Sequence, residues 1–210
     1  MALPAIKEKI VIRLFWIRKR IRIGFYSIFA WIKSKLWGIQ IGRRCKFDGP
    51  IHFYKFPGSS IIIGSKCRFN SLNIATQAGI SRPCSIWTMG PDACVNIGNG
   101  CGFSGVAISC HKKITIKANV RIGSNVTMMD SDQHLDDPRV GVPSSIIIHE
   151  NVWIGSNSIV LKGVSIGKNS IVAAGSLVNK NISENTIAAG IPAKELKKIV
   201  LGKGMESFEC

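Results

Sequence analysis

A six-residue period is the feature that most limits what this chain can fold into. From Ile148 the sequence divides into IHENVW, IGSNSI, VLKGVS, IGKNSI, VAAGSL and VNKNIS. The first position of each hexad is Ile or Val. The fifth position runs Val152, Ser158, Val164, Ser170, Ser176 and Ile182, mostly small or β-branched. The same division recovers IKANVR and IGSNVT from Ile116, and IGRRCKF, IGSKCRF and IGNGCGF start at Ile41, Ile63 and Ile97. A short strand and a turn repeated every six residues give a coil with three flat faces. Position one then points an aliphatic side chain into a prism, and position five is a tight inner corner. No single repeat buries its own apolar face; stacked coils do. Cys45, Cys67 and Cys101 each fall at position five, so they read as core fillers.

These repeats resemble those of the hexapeptide-repeat acyltransferases, over residues 41–193 and most clearly from Ile114 to Lys194. The resemblance implies a mainly β fold, a left-handed parallel β-helix. That hand is unusual, because parallel crossovers are otherwise almost always right-handed. The expected organisation is a basic amphipathic helical segment over 1–38, a β-helix acyltransferase domain over 39–192, and a short C-terminal helix with a tail over 193–210.

The first segment has its own logic. Ile10, Leu14, Ile17, Ile21, Phe25, Ile28 and Ile32 recur at helical spacing, so residues 5–37 read as a helix or helix pair. The chain carries 28 Lys/Arg against 12 Asp/Glu. Residues 1–50 hold much of the excess, with only Glu8 and Asp48 opposing it. A basic amphipathic helix with Trp16, Trp31 and Trp37 suits an anionic membrane interface or packing on the main domain or a partner subunit. The apolar run from Ile23 to Ile32 is about half of the ~20 residues needed to span a bilayer. No nucleic-acid reader motif accompanies the arginines, so no nucleic-acid partner is expected. Seven cysteines without C-x-x-C spacing suit a reducing compartment. The expected location is cytoplasmic, peripheral on the inner membrane face if the helix binds lipid.

The hexad register runs through Met128 and resumes at Ile148, two residues out of phase. The excursion at about 130–145 contains DSDQHLDDPR, with four of the chain's acidic residues around one of its four histidines. Such a loop on a rigid scaffold is a usual place for function. Three chemistries compete: a metal site, a catalytic base with helpers, and a solvated polar loop. The histidines His52, His111, His134 and His149 do not form the close pair used for zinc by the γ-class carbonic anhydrases, a related β-helix family. A calcium loop would need an acidic or amide ligand where His134 stands. No metal is expected.

In family members that acetylate sugars or small hydroxyl compounds, a loop histidine at this point is the general base. The spacing of Asp130, His134, Asp136 and Arg139 resembles that motif, in the branch acting on surface-polysaccharide sugars. The resemblance therefore implies His134 as the base, with Asp132 or Asp130 orienting it. Asp136 and Arg139 would brace the loop against substrate as an ion pair, and Ser104 of GFSG would line the acceptor pocket. The donor would be acetyl-CoA, lying between neighbouring β-helices of a homotrimer. Matching VWIGSN, AAGS, NK and AAGIPAK carries donor contacts onto Trp153, Ser156, Ala174, Asn179, Lys180, Lys194 and Lys197. Asn179 stands where Thr is more usual, and Lys194 and Lys197 where some members carry Arg, which keeps the charge but not bidentate phosphate geometry.

The expected activity is acetyl-CoA-dependent O-acetylation of a saccharide acceptor, a surface polysaccharide or its lipid-linked precursor. The alternatives are N- or O-acetylation of an amino sugar or small molecule, and a non-catalytic membrane-tethered scaffold.

Overall fold

The computed structural model describes residues 6–200. Three short strands complete each coil, and like strands stack into three sheets, the faces of a triangular prism. The first sheet stacks β1 (Gln40–Ile41), β4 (Ser60–Ile63), β7 (Cys94–Ile97), β10 (Lys113–Ile116), β13 (Ile146–Ile148) and β16 (Ser165–Ile166). The second stacks β2 (Lys46–Asp48), β5 (Arg68–Asn70), β8 (Gly102–Ser104), β11 (Arg121–Ser124), β14 (Trp153–Ile154), β17 (Ile171–Val172), β19 (Thr186–Gly190) and β20 (Ala193–Lys198). The third stacks β3 (Ile51–Lys55), β6 (Cys84–Thr88), β9 (Ala107–Cys110), β12 (Thr127–Met129), β15 (Ile159–Val160) and β18 (Leu177–Val178). All pairings are parallel except the last, between β19 and β20. Ile148 pairs with Ile166 and Ile154 with Val172, eighteen positions on in each case. Three hexads per coil is the geometry expected of the left-handed β-helix.

The repeat positions behave as their side chains require. Position-one residues from Ile63 to Val178 are buried, as are Cys67, Cys101 and the later position-five residues. Cys45, in the first coil, is only half-buried. The thiols of Cys67 and Cys101 donate to the carbonyls of Gly98 and Lys117 in the next coil. Phe47, Phe69 and Phe103 stack in parallel inside the second sheet, with ring centroids 4.9 and 4.7 Å apart. Position four turns the corner with a left-handed backbone: Asn119, Asn125, Asn151, Asn157 and Asn169 all have φ between 57 and 61°. Asparagine tolerates that conformation better than most residues. Its side chain also ties coils together, as in the Asn151–Asn169 and Asn169–Asn185 hydrogen bonds.

Both ends of the prism are covered. At the N-terminal end, helix α1 (Ile6–Leu36) packs on the first coil. Its contacts come from the C-terminal half: Ala30 and Ser34 are buried, and the Ser27 hydroxyl accepts the Phe47 amide. The Arg22 guanidinium grips the buried carboxylate of Asp48 through two hydrogen bonds of 2.6 and 3.1 Å. At the other end, β20 runs antiparallel along β19. This corrects the expected C-terminal helix over residues 193–198. AKELKK has good helix formers, but an open sheet edge offers unpaired amides and carbonyls that a final strand satisfies. The rest of the expected tail, residues 201–210, lies outside the described residues.

Two excursions are long. Residues 71–83 leave the corner between the second and third sheets, where Arg82 anchors them by donating to Gly105 O, Asn125 O and Thr127 Oγ1. The sequence reading did not single out this excursion. The second insertion was expected: Ile116 pairs with Ile148, thirty-two positions on rather than eighteen.

Candidate functional site

The second insertion leaves the prism after β12, at the corner between the third and first sheets, and returns at β13. Its stem is tightly made. Ser144 N donates to Asp130 O at 2.8 Å, closing the loop where it opens. The Asp130 carboxylate is fully buried and accepts the backbone amides of His111, Lys112 and Lys113 at 2.6, 2.8 and 2.8 Å. It thus fixes the turn between β9 and β10. Burial raises the pKa of the neighbouring Cys110 thiol, and the charge and hydrogen bond of the Asp130 carboxylate raise it further.

His134 stands beyond the stem, exposed. Its amide donates to Asp132 O at 2.9 Å, and its ring has no hydrogen-bond partner among the described residues. Neither expected carboxylate orients it. Asp130 is committed to the turn, and the Asp132 carboxylate forms an ion pair with Lys162 of the next coil. Lys162 also donates to Gly141 O at 3.0 Å, bracing both legs of the loop. The expected Asp136–Arg139 pair is replaced: Arg139 pairs with Asp137 through its amide and Nε, both at 2.9 Å. Two residues apart, they close a local ring that Asp136 does not join. The guanidinium lowers the Asp137 pKa, and the carboxylate raises that of Arg139.

A second histidine sits at the base of the loop. His111 Nδ1 lies 2.6 Å from the hydroxyl of buried Ser131, and Gln133 Nε2 donates to Ser109 Oγ at 3.0 Å. The sequence reading had no signal for this link, because it joins residues about twenty apart through one coil. Below Ser109 in the third sheet, the outward positions are Trp87 and Tyr54. Their rings stack at 4.9 Å, and Trp37 lies beyond at 6.3 Å. All three are exposed, giving an aromatic ladder that ends beneath the loop.

The other expected residues divide between two edges of the prism. Ser156 and Ala174 lie in successive turns between the second and third sheets, joined by a 2.8 Å bond from Gly175 N to Ser156 O. The Ser156 hydroxyl accepts the Ser124 amide. A Cβ at Gly155 would overlap the Ala174 backbone, so that edge stays flat and close-packed. Trp153 projects from β14 on the second face and is 53% exposed. Ser104, at the end of β8, accepts from Asn70 Nδ2 at 3.2 Å and belongs to this side too. Asn179 and Lys180 instead follow β18, on the edge that carries the loop and Lys162. Lys194 and Lys197 are exposed on β20. One protomer therefore does not bring Ser104, Ser156 or Ala174 to His134. Among the described residues no group of three His, Cys, Asp or Glu is placed to hold a metal ion.

The bacterial transferase hexapeptide model, described as six repeats, matches residues 145–180. A hexapeptide-repeat acetyltransferase from Vibrio cholerae is 22% identical, over 83% of this chain and 81% of its own, with a TM-score of 0.51. The same protein has also been solved with acetyl coenzyme A. A variant of the N-acyltransferase AntD from Bacillus cereus, solved with dTDP and coenzyme A, is 18% identical over 80% of this chain and 88% of its own, with a TM-score of 0.60. The polysialic-acid-specific acetyltransferase NeuO is 21% identical over 81% and 84%, with a TM-score of 0.52. Comparison with curated protein sequences finds no match. At these identities the structural likeness speaks for the fold. The chain carries hexapeptide repeats over the matched residues and shares its β-helix fold with these proteins.

Proposed function

We propose that this protein is an acetyl-CoA-dependent O-acetyltransferase acting on a saccharide hydroxyl, with His134 as general base. The observation that carries the proposal is the insertion after β12, which presents an exposed histidine, its ring unpartnered among the described residues, on a braced loop. In the reaction, a neutral imidazole nitrogen removes the acceptor hydroxyl proton as the oxygen attacks the thioester carbonyl carbon. The C–S bond then breaks and coenzyme A leaves. General-base help of this kind is worth roughly 10²–10⁴ in rate. The acceptor reading is supported by the exposed aromatic ladder of Trp37, Tyr54 and Trp87 below the loop, since apolar ring faces suit the faces of sugar rings.

The working unit in this proposal is a homotrimer. The loop edge carries His134, and the opposite edge carries Ser156, Ala174 and the nearby Trp153 as donor contacts. Packing the donor edge of one copy against the loop edge of the next completes a site that one copy lacks. Lys180, Lys194 and Lys197 then supply positive charge for the donor's phosphates. Asp132, held by Lys162, positions the loop rather than the ring. Asp136 and Ser104 are left as acceptor contacts from the two sides. We further place the enzyme peripherally at the inner membrane face, where lipid-linked saccharides are accessible.

The test is an acceptor screen with labelled acetyl-CoA, including lipid-linked oligosaccharides, with wild type and His134→Ala side by side. The expected result is transfer to a saccharide that falls at least about a hundredfold in the variant. Unchanged turnover in His134→Ala would remove the catalytic assignment.

A further inference from the structure

The apolar stripe that marks α1 in the sequence faces away from the β-helix. At about 100° per residue, the positions from Ile10 to Ile32 spaced by three and four share one side of the helix. The domain is held by roughly the opposite side, through Arg22, Ser27, Ala30 and Ser34. The stripe is left open along its whole length, each of its residues being between 44 and 67% exposed. A stripe that long is more than the scattered exposed apolar residues of an ordinary surface.

The charge on the same helix selects what covers it. Helix α1 carries nine Lys/Arg and a single acid, Glu8. Arg13, Arg18 and Arg20 flank the stripe with no acidic partner on the helix beyond Glu8. Packing two or three such helices stripe to stripe would bring their basic flanks together without compensating carboxylates. An anionic bilayer surface accepts both features, taking the apolar side chains below the headgroups while the basic flanks meet lipid phosphates. Trp31, exposed at the edge of the stripe, suits the same depth. Helix α1 is not apolar enough to cross a membrane, so it lies in the plane of the interface.

We infer that α1 is a bilayer-docking element whose outward stripe, from Ile10 to Ile32, enters the headgroup region of an anionic lipid surface. The β-helix is held on the water side by the opposite face of the same helix. This deepens the peripheral placement proposed above and rests on it, but not on the acetyl-transfer chemistry.

Vesicle flotation of the full chain tests it, using phosphatidylcholine vesicles alone and vesicles of equal parts phosphatidylcholine and phosphatidylglycerol. Wild type should float with the anionic vesicles and far less with the neutral ones. Substituting Ile17→Asp with Ile21→Asp alters only outward positions and should lower partitioning at least about tenfold. Reversing Arg13, Arg18 and Arg20 to Glu should lower it at least about a hundredfold, since losing three basic residues alone removes about 1 kcal/mol each near the surface. Each variant should keep the wild-type oligomeric mass and melting temperature. Equal flotation of the variants, no flotation of wild type, or a change in oligomeric mass in Ile17→Asp/Ile21→Asp would overturn the inference; the last result would mean that a second copy covers the stripe. Since no donor or acceptor is present, failure here leaves the acetyl-transfer reading to its own assay.

Discussion

Asp130 and His134 lie four residues apart and have opposite fates. Asp130 is buried with three backbone amides on its carboxylate, whereas His134 is exposed and its ring has no hydrogen-bond partner among the described residues. The sequence marked the loop, because the hexad register breaks there. It could not rank the aspartates, since the partners of Asp130 are amides nearly twenty residues earlier in another turn. Asp130→Ala should therefore act on stability first. It leaves three part-buried amides without their acceptor and should cost about 3 kcal/mol or more, read as a lower urea midpoint. By contrast, Asp132→Ala loses an exposed ion pair and should change stability by under about 1 kcal/mol, while lowering acetyl transfer by loosening the loop. The thiols offer a further check at this scale. A hydrogen bond with Cys101 and burial push the Cys67 thiol up to about 11. It stays protonated at neutral pH, and alkylation of native protein should spare it until the chain is unfolded.

The elements follow the repeat more closely than they follow local propensity. The strands, their register and the inward stacking of Phe47, Phe69 and Phe103 all arise from one hexad rule, which is why the body of the fold was legible. At this scale the reading failed at two places where that rule does not run. The segment AKELKK has helix-forming residues but pairs as β20, because β19 presents an open edge. The 71–83 insertion escaped notice because its anchors, Arg82 to the 105 and 125–127 backbone, are non-local. Helix α1 was legible as a helix, but the direction of its stripe was not, since periodicity gives a face and not its neighbour. Two element-scale outcomes follow. Phe69→Ala removes the middle ring of the stack and should cost roughly 3–5 kcal/mol, seen as a large drop in melting temperature. Replacing residues 131–143 with a short Gly-Ser turn should do much less to stability, because Asp130 and Ser144 already meet at 2.8 Å. Acetyl transfer should be lost.

At the scale of the whole molecule, the candidate residues lie on separate edges of one prism. His134 and Lys162 line the corner between the third and first sheets; Ser156 and Ala174 line the corner between the second and third. Sequence matching supplied His134, Ser156 and Ala174, though not Lys162, and could not show that a whole face separates the two edges within one copy. The proposed trimer makes that separation useful, because each site takes its loop from one copy and its donor edge from the next. Two inactive variants should then rescue each other. His134→Ala removes the base, and Ala174→Trp fills the donor edge with an indole. Unfolded together and refolded as mixed oligomers, the two should regain acetyl transfer, at about a quarter of the wild-type sites if copies assort at random around a cyclic trimer. Recovery of activity on mixing, with each variant inactive alone, is the predicted result. Mixed oligomers as inactive as their parents would contradict a site shared between copies.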